Sequence, residues 1–60
     1  MRNYYHVIED SSYGNIGSHG YFKTEAEAKK EVERLQSFFP NYFFYVYAST
    51  SKKQPEFITV

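Results

Sequence analysis

Two histidines, His6 and His19, and the serines Ser11, Ser12 and Ser18 are the residues of this 60-residue chain that point toward nucleophilic or metal-assisted chemistry. A nucleophile needs a base within hydrogen-bond reach and a further group to orient that base. Ser18 and His19 are neighbours, but all three serines fall in the stretch DSSYGNIGSHG, where serine serves turn chemistry and a loop histidine is solvated. The glutamates Glu25, Glu27, Glu31 and Glu33 are interleaved with Lys29, Lys30 and Arg34, the pattern of a solvated helix face rather than of paired catalytic carboxylates. With no cysteine, disulfides and thiolate zinc sites are excluded, and the two histidines form no short-spaced ligand pair. The expectation is a non-enzymatic chain with no metal, no cofactor and no small-molecule substrate.

The other chemistry on offer is aromatic. The stretch NYFFYVYAS, residues 41–49, places five rings in six consecutive positions. As a strand it has two faces, Tyr42, Phe44, Val46 and Ala48 on one, Phe43, Tyr45, Tyr47 and Ser49 on the other. Rings on a sheet face can anchor a protein partner, or stack bases at roughly 1–3 kcal/mol each. Tyr45 and Tyr47 at alternate positions, with Lys52 and Lys53 in the following turn, set out the nucleic-acid alternative. Against it stands a formal net charge of zero, which gives no long-range attraction to nucleic acid or to anionic membranes.

The elements that position these residues follow from pattern. Residues 4–9, YYHVIE, alternate as a strand, with Tyr5 and Val7 on one face and Tyr4, His6 and Ile8 on the other. The Asp-, Ser-, Asn- and Gly-dense stretch after it predicts a hairpin loop, with a second strand within 16–23. Thr24 followed by Glu27 is a capping-box signal for a helix, whose apolar face is Ala28, Val32, Leu35 and Phe39. Pro40 ends that helix. The aromatic strand comes next, then the turn STSKKQP and a short last strand EFITV.

The predicted fold is a single α+β domain over residues 1–60, in the order β-β-α-β-β, with one amphipathic helix packed on one face of a small antiparallel sheet. A domain this small buries only about 60% of its unfolded surface, so seven Tyr and six Phe beside a single Leu must supply most of its core. Starting at Met1, the chain reads as a complete small protein. It shows no signal peptide and no apolar run near the ~20 residues of a membrane span, so the expected compartment is the cytoplasm.

GYFKTEAEAKKEVERL, residues 20–35, resembles the strand-to-helix junction of the arm-type DNA-binding domains of phage integrases, on Gly20, Phe22, Thr24 and Ala28. The resemblance covers about a quarter of the chain and implies a phage or mobile-element origin. The first two strands lack the basic residues that such a sheet presents to DNA, and strands continue after the helix.

One helix covers one sheet face, so the other is expected to stand open, with Tyr4, His6, Tyr45 and Tyr47 on it and Phe43 beside them. A second candidate surface is the loop 10–20, through Tyr13 and Ile16. The expected activity is binding. The partner would be another protein, such as a host protein inhibited by a phage product, or a second copy of the chain in a homodimer. Nucleic acid on Tyr45, Tyr47, Lys52 and Lys53 is the alternative.

Overall fold

The two halves of the hairpin meet around a turn in which Gly14 N–H bonds the Ser11 carbonyl (3.2 Å) and Ser11 N–H bonds the Asn15 carbonyl (3.1 Å). Gly14 sits at φ +85°, a torsion that L side chains rarely adopt. The structure, a computed structural model, describes residues 2–11 and 14–58. Its elements are β1 (Tyr4–Asp10), β2 (Ile16–Phe22), α1 (Glu25–Phe38) and β3 (Phe43–Ser49). They form one three-stranded sheet in the order β2-β1-β3, with β1 antiparallel to both neighbours. Strands β2 and β3 therefore run the same way on either side of β1. Strands so related need a crossover, and α1 is that crossover.

The helix begins where its capping residue requires. Thr24 has extended torsions and its hydroxyl accepts the Glu27 N–H (3.3 Å). The same hydroxyl donates to the Glu27 carboxylate at 2.8 Å, so the two side chains hold each other over the first turn. At the other end Phe39 leaves helical torsions, and its N–H bonds the Leu35 carbonyl at 2.8 Å. Gln36 Nε2 donates to the Tyr42 carbonyl at 2.6 Å and fixes the 39–42 turn against the helix.

The predicted faces hold. Val7, Ala28, Leu35 and Phe44 are buried together, with Tyr5, Phe22, Val32, Tyr42 and Val46 packed around them. Phe39 departs from the predicted helix stripe. Its ring is 46% exposed and stacks on Tyr42 at 5.9 Å, because Pro40 has already turned the chain out of the helix.

Past β3 the expected order fails, and the described residues give ββαβ rather than ββαββ. Glu56 and Phe57 form a turn closed by the Ile58 N–H on the Pro55 carbonyl (3.2 Å), and Thr59 and Val60 of the expected strand lie outside the described residues. The alternation in EFITV is overridden by Pro55, which sets the turn. Among the described residues no helix is long and apolar enough to cross a membrane.

Two measurements check this account of α1. Thr24→Ala removes the cap and is expected to cost about 1 kcal/mol of stability in urea unfolding. Arg34 grips Glu31 with two bonds (2.9 and 2.6 Å), and that hydrogen bonding holds the Glu31 carboxyl below its ordinary value of 4.5. A depressed carboxylate stabilises the fold above its unfolded pKa and loses that contribution as pH falls through the folded value. The stability difference between wild type and Arg34→Gln should therefore be present at neutral pH and disappear on acidification below 4.5.

Candidate interaction surface

Because paired residues share a face, the register lays out the side of the sheet away from α1. One row is Ile16, Asp10 and Phe43; the next is Ser18, Ile8 and Tyr45; then come Tyr21, His6 and Tyr47, and finally Tyr4 and Ser49. Phe43 is 75% exposed, and Tyr21, Tyr45 and Tyr47 are each 40% exposed. The Tyr45 and Tyr47 rings thus lie outside, as the alternation of β3 requires.

The face is not open throughout. His6 is 1% exposed and Ile8 is fully buried, although both point away from the helix. The segment after β3 turns back over this end of the sheet. His6 Nε2 donates to the Ser51 carbonyl at 2.8 Å, a bond between residues 45 apart in the chain. Lys52 Nζ lies 5.7 Å above the Tyr4 ring, and Phe57 meets Tyr47 edge-on at 5.2 Å. The expected hairpin tip at Lys52 and Lys53 is instead part of this covering segment.

Several site residues change role as a result. His6 is an anchor inside the molecule and not a contact on its surface. Tyr4 is half-buried, edge-on to Tyr21 at 5.3 Å. Ile16 belongs to β2 rather than to the loop, and it joins Phe43 on the same face across Asp10. Tyr13 lies outside the described residues. Tyr21 and Phe57 are members of the surface that pattern reading missed. A bulge opposite His6–Ile8 shifts the β2 register, so strict alternation from Ile16 gives no account of Tyr21.

The histidines and Ser18 are kept apart. His19 lies in β2, not in a loop; its Nε2 donates to Glu9 Oε1 at 2.8 Å, and its ring is 5.7 Å from Phe44 on the helix side. Ser18, paired with Ile8, is on the opposite face and its hydroxyl accepts the Gly20 N–H. Among the described residues no group of three His, Cys, Asp or Glu side chains is placed to hold a metal ion.

What the arrangement can do is bury rings. One end of the outer face offers Phe43, Tyr45 and Ile16 around Asp10. The other end is roofed by 51–58, with Tyr47 and Phe57 at the margin. No family model, curated protein or solved structure matches the chain.

If the His6 bond pins the covering segment, His6→Leu should keep the sheet folded and loosen 51–58. Loss of one such bond, about 1 kcal/mol, corresponds to roughly fivefold faster tryptic cleavage at Lys52 and Lys53.

Proposed function

We propose that this chain is a non-enzymatic interaction module that binds another protein through the uncovered end of its outer sheet face and modulates that protein by occupying its surface. The observation that carries the reading is the Phe43 ring, 75% exposed on a strand, contiguous with Tyr45 and in one row with Ile16. A phenylalanine has no polar atom to keep in water, and contiguous exposed apolar surface of this kind marks binding sites. Tyr45 adds a ring that pairs apolar contact with a hydroxyl, the combination enriched at binding hot spots. The partner's complement is an apolar pocket for Phe43 with a donor or cation for Asp10. On the likeness of residues 20–35 to a phage junction, such a partner is a host protein inhibited by a phage product.

Asp10 weighs against the nucleic-acid alternative, because it sets a carboxylate among the exposed rings where phosphate would lie. The observation in that reading's favour is Lys52, which sits over Tyr4 on the same face. The two readings differ in salt dependence. Binding through six or more phosphate contacts falls by roughly 10³-fold or more between 50 and 200 mM salt, whereas ring burial changes little.

The test is a pull-down from nuclease-treated lysate of the native host, with wild type and Phe43→Ser/Tyr45→Ser as paired baits. The expected result is one protein held stoichiometrically by wild type, weakened at least tenfold by the variant, and stable to 200 mM salt. Recovery of no protein by wild type, equal recovery on both baits, or loss of the partner at 200 mM salt would overturn the reading.

A further inference from the structure

An edge strand exposes a row of unpaired N–H and C=O groups, and proteins blunt such edges with bulges, glycine, proline or charge. The two edges of this sheet differ sharply in that respect. Strand β2 carries a register shift, together with Gly17 and Gly20, the latter at φ +96°. A Cβ on Gly20 would meet nothing, so it is the torsion and not crowding that calls for glycine there. Strand β3, FFYVYAS, has no glycine, proline or charge, and all seven residues pair with β1 in unbroken register. At about 3.4 Å per residue its free edge is some 24 Å long. Among the described residues no backbone–backbone hydrogen bond joins the covering segment to β3: Ser51 and Lys52 reach inward to His6 and Tyr4 of the central strand, and Phe57 meets β3 through the Tyr47 ring.

We propose that the β3 edge pairs with the β3 edge of a second copy of the chain, antiparallel, about a two-fold axis at Val46. The strand is complementary to itself in that register. On the helix side Phe44 lies opposite Ala48 of the second copy, large against small, and Val46 meets its own equivalent. On the outer side Tyr45 lies opposite Tyr47 of the second copy, an aromatic cross-strand pair, and Phe43 lies beside Ser49. No charge opposes its like anywhere along the strand. The groove between α1 and β3 follows the same edge, with Val32 and Val46 in it and Glu25, Lys29 and Glu33 along its helix wall. A two-fold copy runs its helix the opposite way there, so the alternating wall can set Lys29 against Glu33 of the second copy.

The resulting six-stranded sheet, β2-β1-β3-β3-β1-β2, ends on both sides in the irregular β2. Assembly therefore closes at two chains instead of growing. A small domain with a thin core gains in this way the burial it lacks. The pairing concerns the edge and needs no partner on the outer face, so it stands or falls separately from the binding reading above.

The test is sedimentation equilibrium over a concentration series on three proteins, with circular dichroism to check folding. Wild type should give twice the 7.1 kDa chain mass. Tyr45→Lys/Tyr47→Lys sets like charges opposite each other across the axis and should weaken the dimer at least tenfold. Tyr45→Lys/Tyr47→Glu sets opposite charges there and should restore it. Hydrogen exchange on wild type gives an independent check, because alternate β3 amides should gain protection as concentration rises. A wild-type monomer at every concentration, equal loss of the dimer in both variants, assembly beyond two chains, or β3 amides unprotected at high concentration would each overturn the proposal.

Discussion

Strand β1 is buried from both sides, and among the described residues there is one helix to bury it with. Val7 is sealed under α1, while Ile8, one residue on and pointing the other way, is equally inaccessible. A central strand with apolar residues on both faces needs two covering layers, and a crossover helix can supply only one. The second layer is made from what remains: the rings of Tyr4, Tyr21 and Tyr47, and the segment 51–58 folded back over them. The bond from His6 to the Ser51 carbonyl ties that layer down. A buried imidazole without a partner would be costly, so the closed position of 51–58 over the outer face is held by residue 51 returning to residue 6.

This dependence explains what could be read from the sequence and what could not. Local chemistry was legible because it is local. Thr24 and Glu27 mark the helix start, Pro40 its end, and Gly14 the hairpin turn, each through bonds or torsions within a few residues. The faces of β3 followed from alternation, with Phe44 and Val46 under the helix. Alternation says which way His6 points, but it carries no information on whether that face is covered. The cover comes from a segment without regular structure, whose own pattern, EFITV, reads locally as a strand. Tyr21 was lost to a bulge that no composition signal in GSHGYF announces, since its two glycines weaken any strand reading without giving its register.

The outer surface shows how tyrosine and phenylalanine divide the work. Tyr45 and Tyr47 are each 40% exposed, and a tyrosine so placed can keep its hydroxyl in water while its ring packs on the sheet. Phe38, 67% exposed, is partly screened by the Arg34 guanidinium lying 5.9 Å above its ring. Phe43 has no comparable screen among its described contacts. Its exposure is the feature of the face that solvent-facing strand propensity explains least.

The position of β1 between two partners also sets an order on folding. Its pairing with β2 closes a short hairpin, and loop entropy there is small. Its pairing with β3 joins residues 33 to 45 apart, from Asp10 with Phe43 to Tyr4 with Ser49. Such non-local closure is the slow step in small domains. The first strand to be made is thus the last to be secured. Until residues 43–51 arrive, Val7 and Ile8 sit on a half-built hairpin with one side of the strand unpaired. A nascent chain halted before β3 would carry Val7 and Ile8, the two most deeply buried apolar residues of its central strand, without their β3 neighbours.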